Sequence, residues 1–291
     1  MESNQVGFIG IGRMGSRMAA RLIDAGYALC IHDANPAATE ALAKRGARVC
    51  ATPAEVAGQC GIVMSCLPGP EEVAHVMQGP DGVFSVTPRA AANRPLLIEM
   101  STIGPAQSRE LAQRARAKGY AYIDAPISNG VDPAETGELT IMVGGNLEDF
   151  DCAKPILRHL GNRLYHMGDI GTGNFTKIAN QVIYLSYVAS VCEIARAAQG
   201  LGMDVPNFID VMRNSVAGRP MMTHWDDRFE NGDRVAGFQI SRLLKDLRLG
   251  EDICHERGFD IPVLETVIDT YQRASDAGHA DLDMTAIYSV D

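Results

Sequence analysis

Short apolar runs alternate with amphipathic stretches through the first half of the chain. The runs are Val6–Ile9, Ala28–His32, Arg48–Cys50, Ile62–Leu67, Leu96–Met100, Tyr120–Asp124, Leu139–Val143 and Leu164–His166. Their length and β-branched content read as strands. Between them, Met14–Ala25, Ala37–Arg45, Ala54–Gln59, Glu71–Met77, Ala106–Lys118 and Leu147–Leu160 place apolar residues at helical spacing. Such alternation predicts an α/β fold, a doubly wound and mostly parallel sheet with helices on both faces.

The pattern changes at Gly168–Gly173, beyond which no strand pattern stands out. Residues 172–199 read as one helix of about 28 residues, which spans ~42 Å. Helices are also expected at Val205–Arg213, Phe238–Arg257 and Val263–Ala277. Residues 1–167 are therefore expected to form a nucleotide-binding domain, and residues 168–291 an all-α domain for substrate and oligomer contacts.

Composition removes several classes of function. The chain has 291 residues, 46% of them hydrophobic, enough for a large core without covalent staples. The apolar stretch Ile178–Ala198 carries Asn180, Gln181, Glu193 and Arg196, so it reads as a buried helix and not a membrane span. A net charge of −10 without a cationic run argues against nucleic-acid binding. The seven cysteines form no CxxC pair, and the amino end lacks a secretory pattern. Both features fit reduced thiols in a cytoplasmic protein. The seven histidines show no HExxH, and no metal site is expected.

Gly10-Ile11-Gly12-Arg13-Met14-Gly15 joins the first strand to the first helix. In that setting the glycines allow a tight turn, close approach of a pyrophosphate, and close packing of helix on strand. The helix amino terminus adds free N–H groups for the phosphates. Asp33 ends the second strand, 18 residues past Gly15, where a carboxylate bonds the ribose hydroxyls of an adenosine. No arginine follows at Ala34 or Asn35, so NAD is favoured over NADP.

Other strand ends carry candidate chemistry. Leu67-Pro68 closes the fourth strand, and Ser101-Thr102 follows the fifth as a ligand contact or a helix cap. Ser128, Asn129 and Gly130 follow the sixth and offer a hydroxyl and backbone N–H groups to a carboxylate, or simply a turn. Lys177 lies in the opening turns of the long helix with Asn180 on its face. The helix dipole and partial burial both lower a lysine pKa toward the range of acid–base work. Phe238, Arg242 and Lys245 share a helical face that is either a pocket wall or a solvated surface.

In this order and spacing, GFIGIGRMG (7–15), CLP (66–68), DAPISNG (124–130), GELTIMVGG (137–145), GTGNFTKIANQ (171–181) and LLKDL (243–247) make the chain resemble the β-hydroxyacid dehydrogenase family. That family includes 3-hydroxyisobutyrate dehydrogenase and tartronate semialdehyde reductase. The resemblance implies a Rossmann domain followed by a helical domain, in homodimers or homotetramers. It implies hydride transfer between nicotinamide and C3 of a small carboxylic acid. Lys177 would be the acid–base, supported by Asn180, while Ser128, Asn129 and Gly130 hold the carboxylate. Gly10 to Gly15, Asp33, Leu67, Pro68, Thr102, Phe238 and Lys245 would line the cofactor site.

Asn129 stands where the family has glycine, Glu138 where it has threonine, and Arg242 where it often has leucine. Reductases of 2-(hydroxymethyl)glutarate or sulfolactaldehyde type, and 3-hydroxy amino acid dehydrogenases, share the lysine and are alternatives. An imine reductase or a silent NAD-sensing scaffold is disfavoured by Lys177 with Asn180. We expect Arg242 or Asn129 to read an extra polar or anionic group on the substrate. Arg242→Leu should then shift the kcat/KM preference from dicarboxylic toward monocarboxylic 3-hydroxy acids, and an unchanged preference would remove the arginine from that role.

Overall fold

The first apolar run forms β1 (Gln5–Ile9) at the middle of a sheet covered on both faces. Phe8 packs into the apolar layer on one face and Ile9 into the layer on the other. Two covered faces explain why the run shows no polar alternation. The computed structural model describes residues 5–87, 95–218, 239–241, 244, 247, 255 and 258–289.

Five strands extend β1 in parallel: β2 (Ala28–His32), β3 (Arg48–Val49), β4 (Ile62–Ser65), β5 (Leu96–Glu99) and β6 (Ala121–Asp124). Their order is β3-β2-β1-β4-β5-β6. The connections are α1 (Gly15–Asp24), α2 (Glu40–Ala43), α3 (Pro53–Gln59), α4 (Pro70–Gln78) and α5 (Pro105–Ala117). Strand order reverses between β1 and β4, and ligands of open α/β sheets bind outside the strand ends at such a point. The registers Ile9↔His32, Ile9↔Ser65, Ser65↔Glu99 and Glu99↔Asp124 put these five residues in one row at the carboxyl edge.

The sheet then changes character. β7 (Ile127–Ser128), α6 (Val131–Thr136), β8 (Thr140–Gly144), α7 (Leu147–Leu157) and β9 (Arg163–Gly168) follow. β8 is antiparallel to β6 and β7 and parallel to β9. β7 and α6 have no counterpart in the sequence pattern. A two-residue strand is too short to show a period, and Pro133 disguises the short helix.

α8 (Thr172–Gly200) is the long helix expected from the sequence. The chain divides into two compact units, Met1–Gln181 and Val182–Asp291, the boundary falling within α8. Among its described residues the second unit is helical, with α9 (Val205–Arg213), the helix Pro262–Ala274 and one isolated bridge between Gln239 and Asp283. Its core includes Ile240, Leu244, Ile268 and Ala286. Most of the expected helix at 238–257 lies outside the described residues. Among the described residues no helix is long and apolar enough to cross a membrane.

Candidate active site

The turn after β1 shows a different constraint at each glycine. Gly10 has φ +91°, and a Cβ there would lie 2.3 Å from the Cys66 carbonyl oxygen. A Cβ on Gly15 would lie 1.9 Å from the Gly10 carbonyl oxygen. A Cβ on Gly12 would meet nothing within 4 Å. Packing therefore demands the first and third glycines, whereas Gly12 faces open space of the kind a pyrophosphate needs.

No side chain caps the start of α1, where the Ser16 and Arg17 N–H groups are taken by the Gly12 and Met14 carbonyls of the turn itself. Gly12, Arg13, Met14, Asp33, Leu67 and Pro68 line one cleft of about 850 Å³. Asp33 accepts hydrogen bonds from the Ile11 N–H at 2.6 Å and the Asn35 N–H at 2.7 Å. The acid expected to hold a ribose thus also holds the glycine turn in shape. A carboxylate has about four acceptor sites, so both roles are compatible.

Buried polar groups run along the carboxyl edge from this cleft to α8. The Leu67 N–H donates to Ser101 Oγ at 2.8 Å, and the Ser101 N–H donates to Glu99 Oε1 at 2.8 Å. Ser65 Oγ donates to Glu99 Oε2 at 2.7 Å. Burial pushes the Glu99 carboxyl above its ordinary range against the pull of these donors. Thr102 is exposed, while the next residue, Ile103, donates its N–H to Asn174 Oδ1 at 2.9 Å. The Asn174 amide nitrogen donates to Ser108 Oγ at 3.0 Å.

Asp124 closes the series. Its fully buried carboxylate accepts the N–H groups of Gly171 and Asn174, each at 2.7 Å, and so caps the start of α8. Burial raises its pKa, and the two N–H donors oppose that shift. Gly144 and Gly173 permit the close fit. A Cβ on Gly144 would lie 2.6 Å from Asp124 Oδ1, and one on Gly173 would lie 2.4 Å from the Met142 carbonyl oxygen.

Lys177 follows Asn174 by three residues on the same helix and is half-buried. Burial lowers its pKa from the ordinary lysine value. One turn further, Asn180 Nδ2 reaches Ser128 Oγ at 3.5 Å, the outer limit of hydrogen bonding. The structure thus brings β7 and the opening of α8 together, as it does the glycine turn, Asp33 and Leu67-Pro68.

Asn129 is placed differently from the expectation. It has φ +93°, and its amide donates to Thr140 Oγ1 at 3.1 Å and the Glu138 carbonyl at 3.3 Å. The amide therefore braces the β7–β8 connection. Gly130, at φ +86°, opens α6. Phe238, Arg242 and Lys245 lie outside the described residues. The sequence assigns no role to Asp124, Asn174 or Glu99, and it offers Ser101 as a ligand contact or helix cap, whereas in the structure Ser101 joins Leu67 to Glu99. The available signal was an acid or hydroxyl in the residues that end or follow a buried strand.

Residues 5–168 match the family described as the NAD binding domain of 6-phosphogluconate dehydrogenase. Residues 171–290 match that of the NAD-binding of NADP-dependent 3-hydroxyisobutyrate dehydrogenase. The 2-(hydroxymethyl)glutarate dehydrogenase of Eubacterium barkeri is 31% identical over 99% of this chain and 95% of its own. The chain belongs to the β-hydroxyacid dehydrogenase family. The 3-hydroxyisobutyrate dehydrogenase of Pseudomonas aeruginosa is 31% identical over 97% of this chain and 96% of its own. A structure of Mycobacterium tuberculosis 3-hydroxyisobutyrate dehydrogenase with L-serine is 28% identical, covers 99% of both chains and has a TM-score of 0.67. Like other members of the β-hydroxyacid dehydrogenase family, the chain is an oxidoreductase with an NAD-binding Rossmann domain, acting on hydroxy acids.

Asp124→Ala should strip two buried N–H groups of their acceptor, at about 1–3 kcal/mol for each. Thermal unfolding is expected to show that loss, with part of it recovered in Asp124→Asn. Turnover should fall further than NADH affinity, because the start of α8 is loosened and the glycine turn is not.

Proposed function

We propose that the chain catalyses reversible hydride transfer between NAD and C3 of a small 3-hydroxy acid of 3-hydroxyisobutyrate or tartronate semialdehyde type. The observation that carries this reading is Lys177, half-buried with a lowered pKa, three residues beyond the Asn174 held by Asp124. Residues 1–167 would hold the dinucleotide, and residues 168–291 would complete the substrate site and assemble a homodimer or homotetramer.

Gly10 to Gly15 would hold the pyrophosphate, with Asp33 on the adenosine ribose and Leu67, Pro68 and Thr102 toward the nicotinamide end. Phe238 and Lys245 are assigned to the cofactor by resemblance alone. The cleft wall carries Asp33, Glu71, Glu72 and Asp81 against Arg13. That balance disfavours the added charge of a 2′-phosphate and supports NAD over NADP.

Bound nicotinamide supplies the acceptor, or in reverse the donor, for the C3 hydrogen with its electron pair. Neutral Lys177 Nζ takes the proton of the substrate hydroxyl as the carbonyl forms. In reverse, the ammonium returns that proton to the carbonyl oxygen. Ser128 Oγ and the N–H groups at Asn129 and Gly130 grip the carboxylate, and Asn180 keeps Lys177 and the hydroxyl in line. The alternative substrates are a 2-(hydroxymethyl)glutarate or sulfolactaldehyde type and a 3-hydroxy amino acid. A longer or doubly anionic substrate would call on Arg242.

Lys177→Ala should lower kcat by ~10²–10⁴ with NADH affinity retained. Near-normal turnover would overturn the role. Because burial lowers the Lys177 pKa, alcohol oxidation should rise with pH through a limb below the ordinary lysine value, and aldehyde reduction should fall through the same limb. The kcat/KM for NAD should exceed that for NADP, and Asp33→Ala should narrow the difference. A preference for NADP in the unaltered protein would remove Asp33 from its assigned part.

A further inference from the structure

A second cavity, of about 250 Å³, lies against one face of α5, the strand β6 and the start of α7. Arg109 and Arg116 line it from α5, seven residues and therefore two turns apart. Tyr120, just before β6, and Tyr122, within it, line the cavity at 3% and 4% exposure. Among the described residues neither tyrosine hydroxyl has a hydrogen-bond partner. The Tyr122 hydroxyl approaches Ser108 Oγ, which already accepts from Asn174, without completing a bond to it.

Buried hydroxyls without partners are uncommon, because each forfeits its bond to water. Two of them lining one cavity mark a place where a ligand completes the bonding. Burial raises both tyrosine pKa values, so both groups are O–H donors. Neither Arg109 nor Arg116 forms an ion pair with a described residue, although the neighbouring Arg114 pairs with Glu110. Two guanidinium groups lining one cavity without an ion-pair partner among the described residues stand out on a chain of net charge −10.

The remaining polar wall is Asn146, Asp149 and Gln113, whose amide offers donors and an acceptor alike. The Asn146 amide donates to Asp149 Oδ2 at 2.7 Å, within the capped first turn of α7. Asp149 is thereby engaged at its own end of the cavity. The donors therefore outnumber the acceptors at the tyrosine and arginine end, and the recognised chemistry is a compact oxyanion.

We propose that this cavity is a second ligand site, specific for a small oxyanion of phosphate or carboxylate type. It borders the start of α8. A Cβ on Gly171, whose N–H donates to Asp124, would lie 3.1 Å from an Arg109 guanidinium nitrogen. A ligand drawn to Arg109 therefore sits beside the cap that positions Lys177.

The test is calorimetric titration of the full chain, saturated with NADH, against inorganic phosphate and separately against acetate. One of the two probes should bind at a single site, and the better one identifies the oxyanion type. Arg109→Ala, Arg116→Ala and Tyr122→Phe should each weaken that binding at least tenfold, while Lys177→Ala leaves it unchanged. Tyr122→Phe should also raise the melting temperature of the ligand-free protein, since it removes an unpaired buried hydroxyl. Absence of binding by both probes would overturn the site. So would binding that survives all three substitutions, or binding that is lost in Lys177→Ala.

Discussion

The buried carboxyl group of Asp124 joins the end of β6 to the first residues of α8, and the arrangement of the candidate active site depends on those bonds. A helix begins with N–H groups that its own backbone cannot satisfy. Here the acceptor comes from the sheet and not from the helix, through the N–H groups of Gly171 and Asn174. The start of the helix that carries Lys177 is therefore located by the sheet. Gly144 and Gly173 leave room for this contact, since a side chain at either position would enter the space of the carboxylate or the neighbouring strand.

The same edge ties the cofactor cleft to that helix. Glu99 fixes Ser65 and Ser101, Ser101 fixes Leu67 at the cleft, and Ile103 leads to Asn174 on α8. Each bond is short, and Glu99, Ser101 and Asn174 are buried, where a missing partner is costly. Alignment of strand ends in one row makes the chain of bonds possible, because residues at the ends of adjacent parallel strands face the same loop layer. Both carboxyl groups in the row have pKa values raised by burial. Burial disfavours charge on both groups, and the hydrogen-bond donors offset part of that cost.

Much of this was legible in the sequence. The strands from β1 to β6 and the helix α8 follow from apolar runs and period. Gly10, Gly12, Gly15 and Asp33 follow from a spacing that has a direct physical meaning. Lys177 and Asn180 follow from their place at the start of a helix. Less legible were β7 and α6, which are too short to carry a period, and the role of Asn129. A side chain in a loop after a strand can aim at a ligand or at its own hairpin, and the residue type does not distinguish the two. In the structure the Asn129 amide meets Thr140 and the Glu138 carbonyl.

By itself, the sequence determined the alternating architecture, the nucleotide turn and the candidates for proton transfer, because these rest on local periodicity and on residues close in the chain. Only the tertiary structure decided which polar groups hold those candidates in place. Leu67 meets Ser101 across 34 positions, Asp124 meets Gly171 across 47, and Ile103 meets Asn174 across 71. Such pairs leave no periodic trace, since each is set by where two strands or a strand and a helix end in space. The unpaired hydroxyls of Tyr120 and Tyr122 belong to the same class. In sequence they are ordinary residues of a buried strand, and only the folded chain leaves them without a partner among the described residues.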